Sequence, residues 1–115
     1  MRFSYDVEKI DKTVIFSFEG RILDRSEADP LMDEYEALIK AGSQNFIIDL
    51  SKIDYMNSSG LNVLISLLNM NRDHYGKLII FGVPNTVESI LKTSKLFNLF
   101  TICATKEEAI NKLAE

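Results

Sequence analysis

The sequence predicts an α/β domain: a mixed sheet of four to five strands, opened by an N-terminal hairpin and packed by about four helices. Three observations predict it. Apolar residues alternate with polar ones in two early runs, Phe3, Tyr5, Val7 and then Val14, Phe16, Phe18, which is the period-2 pattern of strands with one buried face. Two later runs, Phe46-Ile47-Ile48-Asp49-Leu50 and Leu78-Ile79-Ile80-Phe81, are almost continuously apolar, as strands covered on both faces are. After the first two strands, strand patterns alternate with helical ones, and such alternation implies parallel pairs joined by right-handed crossovers.

Taken in order, the polar stretch Lys9 to Lys12 turns the first two strands into a hairpin, and Gly20 is expected to end the second. The first helix is expected to start broken or late, because Pro30 suits the N1 position with Asp29 as N-cap and costs about 3 kcal/mol in a helix interior. From there Leu31, Tyr35 and Leu38 share a face, and Gly42 supplies the left-handed residue that closes the helix. The run Phe46 to Leu50 should be central in the sheet. Asp54-Tyr55-Met56-Asn57-Ser58-Ser59-Gly60-Leu61 then reads as a polar loop entering a helix, with Asn57 as N-cap and Ser58 at N1. Leu61, Leu64, Ile65 and Leu68 form one apolar stripe, and Val63, Leu67 and Met70 add a second row, so this helix is packed on more than one side until it stops near Gly76.

Gly82 and Pro84 break the strand that follows. Asn85 with Glu88, and Thr105 with Glu108, resemble the capping box, and each pair predicts a helix start. The third helix would bury Val87, Ile90 and Leu91, and the last Ala109, Ile110 and Leu113. Between them lies a short strand around Phe100 to Cys103, with Cys103 in the core. The sequence holds no repeat, linker or low-complexity segment, and a single domain over residues 1–115 is expected.

Composition removes several function classes. With 46% hydrophobic and 26% charged residues the chain has the balance of a globular protein. A net charge of -4 without a basic block disfavours nucleic acid and anionic membrane surfaces as partners. No apolar stretch approaches the ~20 residues of a membrane span, and the N-terminus opens a strand rather than a signal peptide, so no membrane insertion and a cytoplasmic location are expected. One cysteine and one histidine leave no thiolate-rich metal site, and no metal or other cofactor is expected. Asp24, Asp29, Asp33 and Glu34 read as caps and dipole-matched charges at a helix start. His74 lies sixteen positions after Ser58 on the same helix, about 24 Å away at 1.5 Å per residue. It cannot serve Ser58 as a base, and the chain reads as a binding module rather than an enzyme.

The candidate site is the start of the second helix. Asn57, Ser58 and Ser59 would suit a plain helix cap. The same position also suits an anion, because unpaired N–H groups and the positive end of the helix dipole meet there. Gly60, having no Cβ, would let another backbone approach closely.

Asp49-Leu50-Ser51, Ile53 and Tyr55-Met56-Asn57-Ser58-Ser59-Gly60-Leu61 together resemble the signature of the STAS domain of bacterial anti-sigma factor antagonists. Gly20-Arg21-Ile22-Leu23-Asp24 resembles that family's entry to the first helix, and Ser94 to Phe100 with Glu107-Glu108-Ala109 resembles its C-terminal part, so the likeness runs from about Phe3 to Leu113. The resemblance implies the STAS fold and makes Ser58 the phosphoacceptor. The implied function is partner switching: the unphosphorylated chain binds an anti-sigma factor that is often itself the serine kinase, phosphorylation releases it, and a serine phosphatase reverses the step. Partner contact would fall on Asp24, Asn57, Ser58, Ser59 and the Gly60 backbone, with apolar help from Tyr55, Met56 or Leu61, and leucine in place of Gly60 would block the partner without unfolding the chain. The alternative is a non-phosphorylated STAS adaptor in a transporter or larger signalling assembly, where the serine pair is often missing. The sequence departs from the family at Arg21, where an acid is more usual, and at Asn57, where aspartate is common.

Overall fold

The computed structural model describes residues 2–114. Strands β1 (Ser4–Ile10) and β2 (Thr13–Ile22) form the antiparallel hairpin. They are followed by α1 (Asp29–Lys40), β3 (Asn45–Met56), α2 (Ser58–Asp73), β4 (Lys77–Phe81), α3 (Asn85–Thr93), β5 (Thr101–Cys103) and α4 (Lys106–Leu113). The strands lie in the order β1-β2-β3-β4-β5, and all pairs after the first are parallel. Side-chain alternation divides the core between the two faces. Phe16, Phe46 and Ile48 pack with Leu31, Tyr35, Leu64, Val87 and Leu91 from α1, α2 and α3, whereas Ile15, Ile47 and Ile79 pack with Ala109 and Leu113 of α4. No helix of the described residues is long and apolar enough to cross a membrane.

Where the chain departs from the expected elements, the cause is local. Gly20 does not end β2; at φ +94° it bends the strand, and pairing resumes with a register shift at Arg21. Its neighbour β3 likewise continues past Leu50, so Asp54, Tyr55 and Met56 are strand rather than loop, with Met56 opposite Ile22. Asp29 is the first residue of α1, not its cap, because the capping role has moved upstream. Asp24 accepts from the Ser26 N–H at 3.1 Å and Glu27 accepts from the Asp24 N–H at 3.0 Å, a capping box that starts a 3-10 turn over Arg25–Ala28 running straight into α1. The broken start expected from Pro30 is thus present, with Pro30 at the second helical position.

Asn85 is also inside its helix. Extended Pro84 precedes it, and the Pro84 carbonyl accepts the Val87 and Glu88 N–H groups, so Asn85 has no N–H above it to cap. Glu88 instead pairs with Lys92 at 3.2 Å. Thr105 does cap α4, accepting from the Glu108 N–H at 3.2 Å, while Glu108 returns to the N–H of Ala104. That short helix turns Ile110 outward, 37% exposed, and Cys103 is half-buried against the α4 side rather than enclosed.

Gly42 closes α1 as expected, with the Gly42 and Ser43 N–H groups on the carbonyls of Ile39 and Leu38. At the end of α2 the left-handed residue is Tyr75, at φ +58° and 91% exposed, rather than Gly76. Gly76 is needed for closeness instead: a Cβ there would lie 2.7 Å from the Gln44 carbonyl and 2.8 Å from the Asn71 amide. Asn71, a buried polar residue, accepts from the Tyr35 hydroxyl and so ties α2 to α1. Burial pushes the Tyr35 phenol well above its ordinary pKa.

Candidate functional site

The site forms where the parallel ends of β2 and β3 arrive together. Ile22 and Met56 are partners in the sheet, and each chain then turns into a helix start. Asn57 joins the two. Its side-chain oxygen caps α2 by accepting from the Ser59 N–H at 2.9 Å, its amide nitrogen donates to the Leu23 carbonyl at 3.0 Å, and its own N–H donates to the Ile22 carbonyl at 3.3 Å. The loop after β2 and the start of α2 are thereby bonded through one residue.

This geometry accounts for asparagine at position 57. Aspartate caps a helix about as well, but it has no N–H to give the Leu23 carbonyl. Asn57→Asp is therefore expected to keep α2 and the backbone bond to Ile22 but lose the side-chain tie to the Leu23 carbonyl, with a carboxylate left against a carbonyl oxygen. Urea denaturation should show a loss of about 1 kcal/mol, within the usual range for one hydrogen bond, and the Leu23 to Asp24 amides should exchange faster with solvent. Unchanged stability and exchange would mean that the tie is unimportant.

Ser58 is the first residue of α2 and is exposed, whereas Ser59 is half-buried. Helix geometry gives the N–H groups of Ser58 and Gly60 no intrahelical acceptor, so the surface around the Ser58 hydroxyl suits a negative group. Asp24 and Asp54 are exposed on the same end of the molecule; the Asp24 side chain is engaged in its cap, and the Asp54 carbonyl accepts from Thr86 of α3 at 3.4 Å.

The structure divides the expected contact residues into two groups. Asp24, Tyr55, Asn57, Ser58 and Ser59 reach the surface wholly or in part, Tyr55 being 44% exposed. Met56 and Leu61, at 0% and 6% exposure, lie in the core and cannot offer their side chains to a partner as expected. Gly60 is buried as well, and the group that approaches it closely is Met56 of the same chain, whose Cβ would be 2.5 Å from a Cβ at position 60. The apolar surface comes instead from Tyr55 and from Leu23, which is 48% exposed. Leu23 directly follows Ile22, the last residue of β2, and with Ile22 fully buried it turns outward.

Among the described residues no group of three or more His, Cys, Asp or Glu side chains is placed to hold a metal ion. His74 is exposed at the far end of α2, its Nδ1 3.1 Å from the Met70 carbonyl. The arrangement around Ser58 offers an exposed serine at a helix start with an apolar margin.

A family model of the STAS domain matches residues 4–109. A Bordetella bronchiseptica protein named as a candidate anti-sigma factor antagonist, BtrV, is 25% identical over 103 residues, covering 90% of this chain and 88% of its own. The solved structure of the anti-sigma factor antagonist SpoIIAA in its unphosphorylated form matches with a TM-score of 0.82 at 21% identity, covering 96% of each chain. That of the Bacillus cell fate determinant SpoIIAA in the phosphorylated form matches at 0.75 and 20% identity, covering 95% of this chain and 98% of that one. At these identities the two structures establish a common fold.

Proposed function

The chain belongs to the STAS domain family, and we propose that within it the protein is an anti-sigma factor antagonist that works by partner switching. Unphosphorylated, it binds an anti-sigma factor that is also a serine kinase. Transfer of the γ-phosphoryl group from ATP to the Ser58 oxygen, with ADP as the leaving group and the hydroxyl proton passing to the kinase, ends the complex. A serine phosphatase restores the binding form by hydrolysis. The chain contributes a surface and an acceptor, and the catalysis belongs to its partners.

The observation that carries this reading is the exposed Ser58 at the first position of α2, at the end of the molecule where Leu23, Asp24, Tyr55, Asn57 and Ser59 also reach the surface wholly or in part. A patch with apolar anchors at Leu23 and Tyr55 and a polar centre has the makings of a protein interface. The name of the Bordetella relative supports the same class.

The test uses protein purified from its own cells. Intact mass before and after phosphatase treatment should reveal a species heavier by one phosphate that collapses to the unmodified mass. Affinity capture with the unmodified form should recover an ATP-binding kinase. Recovery of transporter subunits with no such kinase, and a single unmodified mass, would favour the adaptor role and overturn the switch.

A further inference from the structure

Arg25 stands in the 3-10 turn next to Asp24, and its guanidinium donates to the Ser66 hydroxyl at 3.0 Å. Among the described residues no carboxylate forms an ion pair with it. An exposed arginine beside several acids has therefore settled on a neutral hydroxyl of α2. The hydroxyl is on an informative stripe: Ser58, Asn62 and Ser66 follow one another at four-residue spacing, which places them on one side of the helix. Ser58 and Asn62 are exposed and Ser66 is half-buried.

The backbone that carries Arg25 is held beside the first turn of α2, because Leu23, two residues before it, is bonded through its carbonyl to Asn57. The turn that carries Arg25 is thus anchored at the start of α2, and the guanidinium reaches the helix at Ser66, about 12 Å along it from Ser58 at 1.5 Å per residue. A change of side-chain rotamers would turn its head back towards the first turn.

We propose that Arg25 is the internal receptor for a phosphate on Ser58. On modification the guanidinium leaves Ser66 and takes two phosphate oxygens, a charge-assisted pairing roughly twice as strong as a bond between neutral groups and matched to the planar fork of arginine. Arg25 does no chemistry in the transfer. It holds the phosphate against the chain's own surface and withdraws a cation from the face that a partner meets. This rests on Ser58 being the acceptor and adds the residue that reads its state.

The experiment starts from full-length chain carrying phosphoserine installed at position 58 by ligation, so that no kinase is needed. Phosphorus NMR then follows the second ionisation of the phosphate, ordinarily near pH 6. Asp24, Glu27 and Asp54 raise it in every variant, and a guanidinium in contact lowers it. The phosphate of the otherwise wild-type chain is expected to bind its proton about threefold more weakly than that of the Arg25→Gln chain, with Arg25→Lys in between. Superimposable titrations of the wild-type and Arg25→Gln phosphoproteins would overturn the proposal. Absence of any phosphate on the protein from cells would sink the functional reading and leave this measurement intact.

Discussion

Phosphate on Ser58 is expected to weaken binding of the partner kinase more than 100-fold while the fold stays in place. The modification adds roughly -1.5 to -2 charge and three strong acceptor oxygens. Ser58 is exposed at the start of α2, so the folded chain has room for the group and the helix dipole tolerates it. Against a partner the same group, still net negative when paired with one arginine, lies in the middle of a surface that must lose water, where a strongly hydrated charge is costly unless fully matched. Asp24 and Asp54, exposed on the same end, add like charge. A coupling of about 3 kcal/mol produces the stated loss without any folding transition. Calorimetric titration of the partner should show Ser58→Ala binding like the unmodified chain and Ser58→Asp weakened only partly, having one charge. Tight binding by the phosphoprotein would rule out release by this route.

Substitution at Gly60 is expected to damage the fold itself. An added Cβ would meet the Met56 Cβ at 2.5 Å and its sulfur at 3.1 Å. Met56 is fully buried at the end of β3, and its Cβ moves only with the backbone, so relief requires separating β3 from α2. Alanine regains up to ~1 kcal/mol of helix propensity, which offsets part of an overpacking cost of about 1–3 kcal/mol. Leucine brings three more carbons to the same place and should cost at least the upper end of that range, a large part of the ~5–15 kcal/mol that holds a domain together. Denaturation by urea should therefore rank wild type above Gly60→Ala and Gly60→Ala well above Gly60→Leu. A fully stable Gly60→Leu chain would show that the Met56 contact yields easily, and loss of partner binding in it could then be read as an interface effect. The expectation that leucine there blocks a partner without unfolding the chain is replaced by this one.

Much of the fold was legible because its central strands are unusually plain. Phe46 to Leu50 and Leu78 to Phe81 are apolar on both faces, and the two stripes of α2 run where their spacing put them. The end of β3 was not legible because two register irregularities disturb its alternation. Leu50, Ile53 and Met56 are buried at intervals of three, and the outward-facing Asp54 and Tyr55 between them look like loop. Of the two expected capping boxes, Thr105–Glu108 forms, whereas Asn85–Glu88 is pre-empted by Pro84, one residue earlier. At the site, the N-cap at Asn57 and the position of Ser58 follow from local chemistry. Which apolar neighbours face outward does not. Met56 and Leu61 are as apolar as Leu23 and Tyr55, and only the pairing of Met56 with Ile22 and the packing of α2 against the sheet decide that the first two are core.

The most direct test of Ser58 as the switch is phosphopeptide mapping of the chain after incubation with its cognate serine kinase and ATP. One phosphate is expected, on Ser58, with a Ser59→Ala chain labelled as before and a Ser58→Ala chain unlabelled. Label on Ser59, or label that persists in Ser58→Ala, would contradict it.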